Sequence, residues 1–204
     1  MSDSSREGFP APDGDLSDLA SPVHLTGQRV CLRPVQITDL DRSLPWRNDP
    51  EIRDNVLGYP GAVSREQEER WYQRILEERE SNRLVLGVED LSDGVLVGFI
   101  QLSDIDRHDR TAQLGLTIGE KSRQGRGLGR EALGLMVDYA FDLLELNRIW
   151  IRVVAYNERA LTLYRKMGFQ DEGILRQHAF RWGSHHNVHL LGLMAAEWRE
   201  GGLS

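Results

Sequence analysis

Three glycines on alternate residues, Gly125, Gly127 and Gly129, stand inside the run Arg123-Gln124-Gly125-Arg126-Gly127-Leu128-Gly129-Arg130, between a β-prone stretch and a long helical one. Glycine at this spacing lets the backbone take positive φ and come close to a ligand, so that successive N–H groups converge on one anion. A helix opening at about Gly129 adds its unpaired N-terminal N–H groups and the positive end of its dipole. Arg123, Arg126 and Arg130 bring full positive charges to the same point. The run reads as a cradle for a diphosphate; the bland alternative is an ordinary glycine-rich turn.

The spacing argues against two common diphosphate ligands. A nucleotide-triphosphate loop needs Lys-Ser/Thr after its last glycine, and Arg130-Glu131 stands there instead, so ATP or GTP hydrolysis is disfavoured. A dinucleotide fingerprint needs a sixth-position glycine where Arg130 stands, and it opens its domain, whereas more than half of this chain precedes Gly125.

With its flanks, Gln124-Gly125-Arg126-Gly127-Leu128-Gly129 resembles the Gln/Arg-x-x-Gly-x-Gly/Ala motif of the GNAT superfamily of acetyl-CoA-dependent N-acetyltransferases. The segment Asn157 to Phe169 resembles that superfamily's second signature, Asn…Tyr-x-Lys-x-Gly-Phe, on Asn157, Tyr164, Lys166, Gly168 and Phe169. Leu32-Arg33-Pro34 with Trp46-Arg47-Asn48-Asp49-Pro50-Glu51 is similar to the branch of the RimJ/RimL ribosomal-protein and spermidine acetyltransferases. The resemblance spans roughly Leu25 to Met194. It implies acetyl-CoA as cosubstrate, with its pyrophosphate on residues 123–130 and its pantetheine arm along the backbone of Leu116, Thr117 and Ile118, assisted by Asn157 and Lys166. A backbone N–H near Thr117 or Ile118 would face the thioester oxygen. Tyr164 would protonate the departing thiolate. Without the resemblance, Tyr164 is a core tyrosine on an amphipathic helix and Asn157 a helix cap.

The general base is unassigned. Relatives carry glutamate in an Ala-Glu-x-Gly pattern, but this chain has Ala112-Gln113-Leu114-Gly115, and a neutral amide accepts no proton. Asp104 or Glu120 acting through water, or an amine that arrives neutral, are the alternatives. Asn187 stands where relatives have an aspartate after a glycine turn. Trp46, Trp71, Phe180 and Trp182 are candidates to wall an acceptor pocket, and Asp49, Glu51 and Asp54 to attract a cation; core packing and a solvated face are the alternatives. His185, His186 and His189 lack the Cys or nearby carboxylate of a metal site, and no metal is expected. Cys31, on a strand without a local histidine, reads as a buried structural thiol.

The elements that must position these residues follow from pattern. Residues 1–22 are rich in Ser, Asp, Gly and Pro and read as a disordered tail, with an acetyltransferase domain over 23–198 and a short tail at 199–204. Strands are predicted at 30–32, 84–88, 95–102, 112–118, 149–154, about 170–177 and 187–194. Helices are predicted from Thr38-Asp39 to about Asn48, from the capping box Ser64-Arg65-Glu66-Gln67 to about Glu80, after the cradle, and from Asn157 to a C-terminal cap at Gly168. Ile149 to Val154 reads as a strand buried on both faces. The implied fold is α/β (α+β): one GNAT domain with a mixed, mostly antiparallel sheet flanked by helices on both faces. In it, the strands around Leu116 and Val153 splay apart.

A net charge of −7 argues against a general nucleic-acid binder, and the single cysteine against a disulfide framework. No apolar run reaches the roughly 18 residues of a membrane span and no secretory signal is visible, so a cytoplasmic protein without a membrane partner is expected. The function expected is acetyl transfer to a primary amine, a small molecule such as a polyamine or amino sugar slightly ahead of a protein N-terminus. A noncatalytic acyl-CoA sensor is the alternative, and a homodimer is the assembly common in the branch.

Overall fold

The computed structural model describes residues 24–58, 61–78 and 82–201. The tail expected at 1–22 therefore lies outside the described residues, as do the end of the helix that starts at Ser64 and the last three positions. One eight-stranded sheet runs in the order β1-β2-β3-β4-β5-β6-β8-β7, with β1 Leu25–Thr26, β2 Val30–Pro34, β3 Leu84–Asp90, β4 Val95–Asp106, β5 Thr111–Ile118, β6 Arg148–Val154, β7 Gln170–Arg181 and β8 Ser184–Met194. All neighbours pair antiparallel except β5 and β6. The expected mixed, mostly antiparallel sheet is present. Among the described residues, no helix is long and apolar enough to cross a membrane.

Between β2 and β3 lie α1 (Leu40–Asn48), α2 (Pro50–Arg53) and α3 (Arg65–Glu78). The capping box at Ser64 forms: Ser64 N–H donates to Gln67 Oε1 at 2.8 Å, and Gln67 N–H to Ser64 Oγ at 3.3 Å. Asp39 does something other than cap α1. Its carboxylate accepts from Arg33 at 2.8 and 3.0 Å and from Gln36 N–H at 2.8 Å, while Arg33 Nε reaches Glu89 at 2.6 Å. One guanidinium thus ties the start of this helical region to β2 and β3.

After the glycine run comes α4 (Leu128–Asp138), continued by a π-helical turn at Tyr139–Leu143; α5 is Glu158–Lys166. Leu128, Ala132, Leu133, Met136 and Val137 form the buried stripe of α4, which belongs to the same main core as Leu86, Ile100, Leu114 and Ile149. Asn157 Oδ1 accepts from Ala160 N–H at 3.1 Å and caps α5, and Gly168 follows α5 at φ +91°. A further short helix, α6 (Ala195–Glu200), follows β8 and buries Trp198, whose Nε1 donates to Asp138 at 2.7 Å.

Strand β6 departs from the reading as buried on both faces. Ile149, Ile151 and Val153 are buried, whereas Arg148, Trp150 and Arg152 alternate with them half-buried. One face belongs to the core and the other carries polar side chains.

Candidate active site

The glycine run forms a left-handed turn into α4. Gly125 has φ +80° and Gly127, which precedes the first helical residue, φ +87°. From Gly125 through Gly129, five consecutive N–H groups donate to no protein acceptor among the described residues; pairing resumes with Arg130 and Glu131, both bonded to Gly127 C=O at 3.1 Å. A Cβ built on Gly125 would meet nothing within 4 Å. Consecutive unpaired donors at a helix N-terminus fit an anion such as a pyrophosphate. Arg126 and Arg130 form no ion pair among the described residues.

Beside this turn the sheet opens. The β5/β6 ladder holds only Thr111↔Arg148, Ala112↔Ile149 and Gln113↔Trp150, so the two strands are unpaired from Leu114 and Ile151 onward. Gly119 N–H bonds Val97 C=O at 2.9 Å. Alternation along β5 therefore turns the backbone of Thr117 toward β4 and that of Leu116 and Ile118 into the gap. Gln124 spans the opening: its Nε2 donates to Ile118 C=O, and its Oε1 accepts from Arg159 on α5, both at 2.7 Å.

Two cavities meet at this break. The first, about 500 Å3, lies between the glycine run, the open edge of β5 and the start of α5. The second, about 330 Å3, lies between α1, α2, α3 and the sheet, over Trp46, Trp71, Phe99, Gln113 and Arg152. Leu116, Thr117, Asn157 and Tyr164 line both. Tyr164 is 3% exposed, and its hydroxyl takes no protein partner among the described residues. Burial pushes its phenol well above the usual value, so it stays protonated throughout the neutral range.

The structure brings Leu116, Thr117, Ile118, Arg123, Gln124, Gly125, Gly127, Gly129, Arg130, Asn157 and Tyr164 to the first cavity. Arg126, Leu128 and Lys166 do not line it: Arg126 is exposed beside it, Leu128 is core, and Lys166 is exposed at the end of α5. Arg123 reaches the wall but is committed elsewhere, donating to Asp90 at 2.7 Å and pairing with Asp93, so it braces the β3–β4 turn. Gln124 holds β5 and α5 together rather than facing the glycine turn.

The acids expected to attract a cation are likewise engaged. Lys121 pairs with Asp49 and Glu51, both at 2.6 Å, and holds the Asp49 carboxyl below its ordinary range. Asp54 is buried, paired with Arg53 at 3.0 Å and accepting from Trp182 Nε1 at 2.8 Å. Trp46 and Trp71 do wall the second cavity, packed edge-on to Phe99 at 6.2 and 5.3 Å. Phe180 and Trp182 line neither cavity. Asp104 and Glu120, the two alternatives for a base acting through water, line neither; Glu51 and Glu158 line the first cavity, and among the described residues no carboxylate lines both.

The three histidines diverge. His185 stacks on Phe180 at 4.9 Å, His186 lies against Arg181 C=O at 3.3 Å, and His189 against Asp171 at 3.4 Å. Asn187 Oδ1 accepts from Gln177 N–H within the β7–β8 ladder at 2.9 Å. Cys31 is half-buried rather than buried.

Sequence reasoning missed the groups that fix the cradle from outside. Arg29 Nη1 donates to Arg126 C=O at 2.8 Å, and Glu131 accepts from Arg29 N–H at 2.8 Å. About a hundred residues separate these partners, so no local pattern links them; the one available signal is Glu131 in the first turn of a helix.

A family model described as the acetyltransferase (GNAT) domain matches residues 29–170. The chain is 32% identical over 163 residues to the probable N-acetyltransferase YjcK of Bacillus subtilis, covering 75% of this chain and 87% of that protein. It is 28% identical over 130 residues to the spermidine N(1)-acetyltransferase of Vibrio cholerae, covering 64% of this chain and 73% of that protein. Among solved structures, a Vibrio cholerae spermidine N-acetyltransferase in complex with CoA and spermine superposes with a TM-score of 0.78 at 25% identity, covering 85% of this chain and 99% of that one.

Proposed function

The chain belongs to the GNAT acetyltransferase family, and from that membership we propose that it is an acetyl-CoA-dependent N-acetyltransferase, passing the acetyl group directly to a primary amine within a ternary complex. One observation carries the reading: two cavities, one floored by unpaired N–H groups and one walled by aromatics, meet at the buried hydroxyl-bearing Tyr164. A solved spermidine N-acetyltransferase of the same fold, captured with CoA and spermine, supports assigning them to donor and acceptor.

The five N–H groups from Gly125 to Gly129 hold the pyrophosphate, helped by the helix dipole and by Arg130 and Arg126. The amide-bearing arm of the donor takes the place of the missing strand beside β5, bonding the gap-facing backbone of Leu116 and Ile118. To admit it, Gln124 releases Ile118 C=O. A gap-facing N–H then points at the thioester oxygen, where negative charge grows as the amine attacks.

Tyr164 serves the leaving sulfur. A thiol, with a pKa of about 8.5, is a stronger acid than a phenol raised above about 10, so Tyr164 shares its proton with the thiolate in a charge-assisted hydrogen bond rather than surrendering it. That contact is made only as the C–S bond breaks, which is where it lowers the barrier.

Free coenzyme A thiol released from acetyl-CoA is the direct measurement, with polyamines, amino sugars, aminoglycosides and peptides bearing free N-termini as acceptors. Acceptor-dependent release with one class is expected. Tight acetyl-CoA binding without release for any class would overturn the transferase reading in favour of a sensor.

A further inference from the structure

The second cavity has an electrostatic character that the sequence did not announce. Arg47, Arg53, Arg83 and Arg152 line it, and among the described residues no Asp or Glu does. Three of these cations are engaged: Arg47 by the buried Glu68 at 3.0 Å, Arg53 by Asp54 at 3.0 Å, and Arg83 through Gln101 Oε1 at 2.8 Å. Arg152 is not. Its Nε is buried without a partner, and its Nη2 meets only the neutral Gln113 Oε1 at 3.4 Å, a long contact. The cavity face is set by register: Gln113 pairs with Trp150, and Arg152 lies two residues further along the same face of β6.

We propose that the acceptor, besides the amine that is acetylated, carries a carboxylate or comparable anionic group, and that Arg152 holds it. The inference deepens the transferase reading and rests on it. A half-buried guanidinium with an unmet donor and no carboxylate partner costs free energy that a bound anion recovers through charge-assisted, fork-like hydrogen bonds. A polycation would instead find no carboxylate among the described residues of the cavity wall to pair with, and the Arg152 charge opposing it.

The same field answers what Gln113 leaves open. Nearby guanidinium charge disfavours the ammonium form of a bound amine and lowers its pKa, so the neutral nucleophile is selected without a carboxylate base. The proton leaves for solvent before the amine is seated. The amine nitrogen then bonds to the acetyl carbon, the C–S bond breaks, and the second amine proton goes to solvent as the thiolate is released.

Matched acceptors test the proposal on the full chain. One arm compares 4-aminobutanoate with 4-aminobutanamide and spermidine; the other compares tetrapeptides beginning with Asp and with Asn. Preference for the charged member in the first arm identifies a small amino acid-like substrate, and in the second an acidic peptide N-terminus; either supports the inference. Arg152→Gln should lower kcat/KM for the carboxylate acceptor about 10- to 100-fold more than for its amide, with partial rescue by Arg152→Lys. Spermidine preferred over every carboxylate acceptor, or Arg152→Gln depressing charged and neutral acceptors equally, would overturn it. Calorimetry with the unreactive 4-acetamidobutanoate separates this inference from the reaction. Arg152-dependent binding without turnover of any acceptor would keep the anion site and sink the transferase reading; turnover of spermidine without carboxylate binding would do the reverse.

Discussion

Replacing Gly127 by Asp and, in parallel, by Asn isolates the electrostatics of the cradle from its shape. Gly127 has φ +87°, a region that Asn and Asp tolerate better than other side chains, so both variants cost a similar ~1 kcal/mol of backbone strain. A Cβ there would lie 3.1 Å from Arg29 Nη1, the end of a flexible side chain that can move aside. The variants therefore differ mainly in one negative charge. At about 4 Å, a carboxylate and a phosphate charge repel by about 1 kcal/mol in water and about 4 kcal/mol at an effective dielectric of 20. Gly127 is exposed, which favours the low end, and Arg29 offsets part of the charge. Summed over two phosphates, about 2 kcal/mol remains, or ~30-fold in Kd. Calorimetric titration with coenzyme A should show the Asp variant weaker than the Asn variant by that factor, with the difference shrinking as salt is raised. Equal affinities for the two would refute the assignment of the glycine run as a phosphate cradle.

Tyr164→Phe should lower kcat about 100-fold while leaving the Kd of coenzyme A within about two-fold, read by thiol release and calorimetry. Because burial raises the Tyr164 phenol, the folded chain holds that proton more tightly than the unfolded one; this contribution to stability is full below about pH 10 and is lost as pH rises toward the raised value. The Phe variant should therefore show a shallower alkaline loss of stability in denaturant melts between about pH 9 and pH 11. Arg33→Ala leaves Asp39 buried and Glu89 half-buried without their shared cation, at a cost of about 3 kcal/mol, seen calorimetrically as a Tm lower by about 6–12 °C. Gly98→Ala would place a Cβ 2.1 Å from Thr117 O, a backbone atom that yields only by moving β5. A rise in the KM for acetyl-CoA is expected; wild-type kinetics and stability in this variant would show the close approach to be dispensable.

The parts of the site legible in the sequence are those whose chemistry is local. Alternate glycines before an amphipathic helix specify a turn and its unpaired donors within a few residues, and Asn157 three residues before Ala160 specifies a cap. What sequence did not show is carried by register and long-range pairing. Arg123 sits in the cradle segment yet turns to Asp90 and Asp93, because β3–β4 brings two carboxylates closer than the glycine turn does. Arg152 was hidden in a strand read as buried on both faces, since β-branched neighbours dominate that window while alternation decides which side chain meets the cavity. Asp49, Glu51 and Asp54 suggested a cationic acceptor because sequence shows charges without their partners.

The break between β5 and β6 has a consequence for association as well as for catalysis. An unpaired strand edge invites capture by another protein's strand, and most proteins keep such edges short, charged or covered. Here the edge lies in the interior of an eight-stranded sheet and converges to a closed ladder at Gln113 and Trp150. A foreign strand would have to thread a closing wedge, past the Gln124–Arg159 strap, to gain bonds from only Leu116 and Ile118 before it met the pairing point. A slender molecule with two well-spaced amides has only the Gln124 contact on Ile118 C=O to displace. The geometry that leaves backbone groups available for a ligand thereby denies them to aggregation.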